Sequence, residues 1–378
     1  MPQDTFEFRV AFRKLLIGLL VTVVPISLTA LYAVSESARS LHQTIGSHYT
    51  TLAESTASQV TQFIHGQVIE VGLMAANPAV VDAVTAANRS YQGMSDAAIS
   101  EKIQRAEDIW LTPRADALVS PILGSQASQS LRRYLQIDPI FLRITVTDNK
   151  GATVAATHKT IDYFQADEEY WRSIYAEGRG SVSLTDVSYD VVTKNNYIGI
   201  GVPIIEPDTG LFLGTLDALI EVSGLFPIVR RAEVGPGGHA LLVKDDGTVI
   251  SGPRTTLAMS LKSEEYNALV DASKNTAGRR SGYLLANFPD RGETLIAFAD
   301  TGLREDFNNL GWLVLVSQPA DQAFAPINTT QQLIMLIAFL GLAAVVVLGV
   351  YFALHRKTEV EETEQEFHPG HPSEVSSR

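Results

Sequence analysis

Residues 162–190 concentrate the side chains capable of chemistry. Seven carboxylates (Asp162, Asp167, Glu168, Glu169, Glu177, Asp186, Asp190) alternate there with six rings (Tyr163, Phe164, Tyr170, Trp171, Tyr175, Tyr189), and only Arg172 and Arg179 oppose the acids. Rings with carboxylates suit a cationic ligand, held by charge pairing and by a ring face. Rings alone suit a flat aromatic ligand by stacking. Ordinary packing competes with both. Trp171 and Tyr175 are four apart, as neighbours on a helix are, and Glu168 and Glu169 fit a solvated first turn at the positive end of a helix. With two residues on later strands, the candidate ligand-binding set is Tyr163, Asp167, Tyr170, Trp171, Tyr175, Asp186, Tyr189, Asp190, Tyr197 and Asp217.

Catalytic, metal and cofactor signals are absent by pattern. There is no Gly-x-Ser-x-Gly and no His-Glu-x-x-His, and the chain has no Cys. His42, His48, His65, His158 and His239 lack ligand spacing. In the tail, His368-Pro-Gly-His371 leaves its rings flexible. Gly235-Pro-Gly-Gly238 lacks the Lys-Ser/Thr and the helix of a phosphate loop and reads as a turn. No spacing singles out an acid and a base. The expectation is a binding protein without cofactor, not an enzyme.

The elements that would position these residues follow from periodicity. Apolar residues recur every three or four positions from Leu41 to Met74, which predicts one long helix over 36–75. Further helices are predicted over 78–135, punctuated by Asn77-Pro78 and Pro113, one of them starting near Ser95. From about 140 the period becomes two. Phe141–Thr147, the turn Asp148-Asn-Lys-Gly151 and Ala152–Ala156 predict a hairpin. Strands are expected at 180–184, 197–202 and 211–220, and five strands without interleaved helices give an antiparallel sheet. A second round follows: 240–250 repeats the pattern of 144–154, and 281–285, 294–299 and 312–316 follow as strands. Two similar modules in tandem are expected.

Two charge-free apolar runs frame this region: Leu15–Val34, 20 residues, and Leu333–Leu354. Each is long enough to cross a hydrocarbon core about 30 Å thick. Arg9, Arg13 and Lys14 precede the first, and His355, Arg356 and Lys357 follow the second. Basic flanks favour the cytoplasm, which places both termini inside and 36–330 outside. A cleaved signal peptide is the rival, but the run exceeds the usual apolar length of one. The outer segment carries 23 Lys+Arg against 34 Asp+Glu. That balance argues against nucleic acid and anionic lipid as partners.

In this order and spacing, VTDNKGATVAAT (146–157), FQADEEYWRSIYAEGRGSVSLTDVSYD (164–190), IGIGVPI (198–204), LGTLDALIEVSGL (213–225), VKDDGTVI (243–250) and NLGWLVLVSQP (309–319) resemble the double Cache sensor domains of bacterial membrane receptors, over about 36–326. The resemblance implies an α+β fold: two tandem PAS-like Cache modules with antiparallel sheets on a long N-terminal helix, flanked by two transmembrane helices. The expected segments are a cytoplasmic N-terminus 1–14, a first span 15–35, a stalk helix 36–77, a membrane-distal module 78–228, a membrane-proximal module 229–326, a second span 331–354 and a short acidic cytoplasmic tail 355–378. It also implies an inner-membrane homodimer that binds a small molecule in the distal module, with 163–190 folding over the sheet as lid and wall; the rings and carboxylates of that stretch suit a cationic or aromatic one. Amino-acid-sensing members carry an Arg two residues before the aromatic pair. Here that position is Glu168, so the guanidinium fork for a carboxylate is missing and their specificity is not carried over. Asp217 lies two residues from the family's strand Asp, on the same strand face. The tail leaves no room for an output domain, so a separate cytoplasmic signalling partner is expected. The alternative is a membrane-tethered solute-binding or assembly protein without signalling.

Overall fold

A computed structural model describes residues 12–113, 115–190, 195–232, 234–252, 261–273, 279–307 and 310–325, together with 332, 334–341, 343–349 and 351. Arg9, the basic residues after the second apolar run and the acidic tail lie outside the described residues. The chain forms two units, Gly46–Gln322 and Met1–Ile45 with Ala323–Arg378.

Helix α1 runs unbroken from Phe12 to Ala75, with Pro25 inside it. Its buried stripe comprises Tyr49, Ala53, Thr56, Val60, Ile64, Val71 and Met74, at multiples of three and four. The helix stops just before Asn77, whose side chain accepts the Ala79 N–H at 2.9 Å and starts α2 (Pro78–Arg89) with Pro at its first turn. Then come α3 (Asp96–Trp110), capped by Ser95, α4 (Asp116–Gly124) and α5 (Gln126–Ile137).

The first sheet comprises β1 (Phe141–Asp148), β2 (Thr153–Ala156), β3 (Ser183–Asp190), β4 (Asn195–Ile205) and β5 (Phe212–Glu221), in the order β2-β1-β5-β4-β3. Helix α6 (Glu169–Tyr175) lies between β2 and β3 in sequence. All pairings are antiparallel. After α7 (Phe226–Arg230) the second sheet comprises β6 (His239–Lys244), β7 (Val249–Ser251), β8 (Ser281–Phe288), β9 (Gly292–Asp300) and β10 (Trp312–Pro319), with α8 (Glu264–Ser273) after β7 and α9 (Leu303–Asp306) before β10. Its order, β7-β6-β10-β9-β8, reproduces that of the first. The short α10 (Ala320–Ala323) follows.

The hairpins repeat in detail. In the first sheet the Gln165 N–H donates to the Gly151 carbonyl at 2.8 Å and the Thr153 N–H to the Tyr163 carbonyl at 3.0 Å. In the second, Ser263 donates to Gly247 at 2.9 Å and Val249 to Leu261 at 2.8 Å. Gly151 and Gly247 both have positive φ, +87° and +81°, as the turn requires.

One strand departs from its expected bounds. The strand expected at 180–184 runs instead over Ser183–Asp190. Residues Asp186, Tyr189 and Asp190 therefore belong to the edge strand of the sheet, and it is α6 that packs against β3, β4 and β5. Among the described residues no single helix is long and apolar enough to cross a membrane, and Ile334–Gly349 is a shorter apolar helix.

Candidate ligand-binding site

Period-two alternation gives the first sheet two unlike faces. Ile144 and Val146 of β1, Leu216 and Ala218 of β5, and Ile198, Ile200, Val202 and Ile204 of β4 share one face by register, and all are buried. The opposite face carries Arg143, Thr145 and Thr147 on β1, Thr215, Asp217 and Leu219 on β5, and Tyr197, Gly199 and Gly201 on β4. It is polar and built from small residues.

Helix α6 covers this polar face. The Trp171 indole N–H donates to Thr147 Oγ1 at 2.9 Å, and Thr147 and Thr215 share a hydrogen bond of 2.8 Å. Ile174 occupies the space above Gly201, where any Cβ would clash with it. Tyr175 stacks on Trp171 with ring centroids 4.9 Å apart and meets Phe212 edge-on. The Tyr170 hydroxyl donates to Gln165 Oε1 at 2.6 Å, and the Gln165 amide is held in turn by Asp162.

Asp217 is the unusual group. Its side chain is 6% exposed and makes no hydrogen bond or ion pair among the described residues. Burial pushes its carboxyl up to about 7, and the positive charge of Arg143 only partly counters this. Burial, then the charge of Asp217, also raises the Tyr170 phenol, while Arg143 acts the other way. Tyr170, Asp217 and Arg143 thus lie within electrostatic reach of one another. The Arg143 Nε is buried without a partner.

Residues 37–327 match the family model for the Cache domain. The chain belongs to the Cache domain family. Cache domains of this type are extracytoplasmic sensory domains that bind ligands rather than catalyse. The fold is similar to that of several solved structures. One is the ligand-binding domain of the Pseudomonas aeruginosa amino acid chemoreceptor PctC in complex with GABA, at 14% identity and TM-score 0.45, covering 72% of this chain and 98% of that one. Another is the ligand-binding domain of the Campylobacter jejuni chemoreceptor Tlp3 in complex with 4-methylisoleucine, at 15% identity and TM-score 0.49, covering 75% and 93%. No curated protein matches the chain.

The second Cache module serves as an internal comparison. Register equates Thr145 with Leu241, Thr147 with Val243, Thr215 with Leu313, Asp217 with Leu315 and Gly201 with Phe298. There the corresponding face is filled: Leu241, Val243, Phe298 and Leu315 form one buried cluster with Leu269 of α8. The first Cache module has Thr, Gly and Asp where the second has aliphatic and aromatic bulk.

The candidate residues divide accordingly. Tyr170, Trp171, Tyr197 and Asp217 gather at the polar face, with Tyr175 behind Trp171. Tyr163 packs against Trp110 at 5.6 Å, its phenol pushed up to about 12 by burial and by the charge of Asp148. Asp167 is exposed and lines a separate groove of about 530 Å³ beside α3, with Asp96, Glu107 and Lys150. Tyr189 is exposed on β3, and Asp190 pairs with Asn195 at the end of that strand.

Asp186 is placed elsewhere altogether. A register shift between Thr185 and Ser188 marks a bulge in β3. The Asp186 carboxylate meets Lys244 Nζ at 3.1 Å and accepts the Trp312 indole N–H at 2.9 Å, both in the second module. The acid-rich composition of 162–190 therefore does not collect at one site. Sequence reasoning missed Arg143, although the strict alternation Arg-Ile-Thr-Val-Thr already placed it on the face of Thr145.

Proposed function

We propose that this chain is a membrane-anchored extracytoplasmic sensor whose first, membrane-distal Cache module binds a small molecule on the polar face beneath α6. The contrast between the two faces carries this reading. Equivalent positions of one fold are filled in one module and left small and polar in the other, with a buried carboxylate lacking a partner. Leaving such a group unpaired is costly, and a ligand that pairs with it recovers that cost.

Two spans, Leu15–Val34 and Leu333–Leu354, with both termini cytoplasmic in a bacterial inner membrane, fit the lengths and flanks of the apolar runs. Ile17, Leu20, Val21, Leu28 and Tyr32 are each at least 59% exposed, as lipid-facing side chains are. A homodimer along α1 is supported by Ile69 and Leu73, four apart and 65% and 64% exposed. The signal passes from α6 through β3 and the Asp186 contacts to β10, the strand that leads towards the second apolar run, and then to a cytoplasmic partner.

The test is a thermal-shift screen of the full-length protein in detergent against amino acids, amines, carboxylates, purines and sugars. A ligand for the native state raises the melting temperature above its dissociation constant. A hit lost on Trp171→Ala or Asp217→Ala, with the far-UV spectrum unchanged, supports the distal site. A hit indifferent to both substitutions removes it.

A further inference from the structure

The first module carries a second concavity, the groove of about 530 Å³ beside α3. Its lining comes from α3, from Lys150 in the turn after β1 and from 162–167, and includes none of the residues of the face beneath α6. Ile99 and Ile103 of α3 and the ring of Phe164 give it an apolar floor, continuous with a cluster that holds buried Ala152. Asp96, Glu107, Asp162 and Asp167 stand round that floor, and Lys150 is the one cation in the lining among the described residues.

Lys150 leaves most of this charge unanswered. It meets Asp96 at 3.9 Å with both side chains exposed, 42% and 96%, so the pair is weak. Glu107 accepts the Tyr163 and Phe164 N–H groups, both at 2.8 Å, which fixes a negative charge beside the Phe164 backbone. Asp162 accepts the Gln165 amide. Asp167 is exposed and has no ion pair or hydrogen bond among the described residues.

The second module places its own cation at the equivalent point. Phe164 stands opposite Ala152, and Lys262 stands opposite Thr248 in the matching bridge. The turn glycines Gly151 and Gly247 equate Lys150 with Asp246. Lys262 Nζ meets Asp246 at 2.8 Å, so a lysine of the same chain answers the turn carboxylate there. In the first module a phenyl ring takes the place of that lysine, and carboxylates surround it.

We propose that this groove binds a small amphiphilic organic cation, an amine or amidine carried on an apolar or aromatic body. The inference is independent of the distal-face reading, because the two sites share no lining residue. The volume falls within the range of about 300–1,000 Å³ usual for small-molecule sites. Charge and surface together select the class. An anion or a zwitterion brings a carboxylate to an already negative rim. A neutral apolar molecule covers the floor and leaves the rim unanswered, and a hydrophilic polycation does the reverse. An amphiphilic cation meets both, and the Phe164 ring adds a face for the positive charge.

The experiment uses the full-length protein in detergent, followed by thermal shift and calorimetry. The amphiphilic cations are phenethylamine, tyramine, hexylamine and benzamidine. The controls are 2-phenylethanol, 3-phenylpropionate and putrescine. The expected result is at least one amphiphilic cation bound about 10-fold or more tightly than every control, a difference of about 1.4 kcal/mol. Its affinity should fall as NaCl rises from about 50 to about 500 mM, since the rim is exposed to screening. Asp167→Asn should weaken binding by about 3-fold, as expected for one exposed charge pair. Phe164→Lys, which installs the second module's residue, should abolish binding by placing an ammonium inside the groove. The proposal is overturned if no amphiphilic cation binds, if a control binds as tightly, or if Asp167→Asn and Phe164→Lys both leave affinity unchanged. Binding that is lost with Asp217→Asn but indifferent to those two variants places the cation beneath α6 and discards the groove. Binding of the tetrapeptide Lys-Leu-Lys-Leu with none of the small cations bound makes the groove a docking face for a basic protein segment and discards the small-molecule assignment. The comparison of ligand classes on the unmodified protein stands even if Phe164→Lys fails to fold.

Discussion

Two buried carboxylates, one in each module, respond to pH in opposite senses. Asp217 has its carboxyl raised from 3.8 to about 7 by burial, partly offset by Arg143. A raised folded value gives stability that is full below about 3.8 and is lost as pH rises through about 7. At about 1.4 kcal/mol per unit, the loss amounts to about 4 kcal/mol. Asp217→Asn should therefore flatten the decline in melting temperature between pH 4.5 and 9 in the absence of ligand. A wild-type curve parallel to the variant's would contradict the burial of an unpaired charge. Glu265 behaves oppositely. Burial pushes it up, but hydrogen bonds from His239 and Ser263 and the charge of Arg291 outweigh this and hold it at about 2. Its stability is present above 4.5 and is lost as pH falls through about 2. Glu265→Gln should cost about 3 kcal/mol in urea unfolding at pH 7 and much less at pH 3.

At the scale of elements, the paired hairpin turns hold the segments that follow them. A Cβ on Gly151 would stand 2.4 Å from the Ala166 Cβ and 2.7 Å from its backbone nitrogen. At Gly247 the obstacle is the ring of Tyr266. Both turns resist a side chain through their positive φ, but only the Tyr266 ring can swing aside. Gly151→Ala should therefore lower the melting temperature more than Gly247→Ala, and it alone should weaken ligand binding by displacing 163–167. Equal effects would mean that this segment does not depend on its turn. These turns were legible in advance, because a short polar run ending in Gly between apolar alternations (Asp148-Asn-Lys-Gly151 and Lys244-Asp-Asp-Gly247) fixes a hairpin by local rules. The long helix and the two successive runs of strands were legible for similar reasons: spacing, breakers and repetition are properties of the chain itself, whereas the strand order within each sheet was not. The end of the lid was not. Ser183–Asp190 is rich in polar residues and reads as wall, yet it pairs with β4 through backbone bonds that side-chain types do not announce.

For the whole molecule, the decisive contacts join segments far apart in sequence. Asp186 to Trp312 spans 126 positions, and no pattern in the acid-rich stretch marks Asp186 as different from Asp167. The same limit hid Arg143, whose relation to Asp217 exists only once β1 and β5 are in register. The Asp186 contacts connect the strand after the lid to β10. Asp186→Asn, or Trp312→Phe, should leave ligand affinity within about 2-fold while reducing the signalling response in cells. A change in affinity with normal signalling would reverse that assignment. The two sheets share one strand order but commit their second faces differently, one to packing and one to polarity. On the proposed reading, substitutions that keep the chain folded and substitutions that choose its ligand fall on different sides of the same strands. A lineage can trade one ligand for another without renegotiating its scaffold. A chimaera that transplants Leu241, Val243 and Leu315 onto Thr145, Thr147 and Asp217 should fold, even gain stability, and no longer respond to anything.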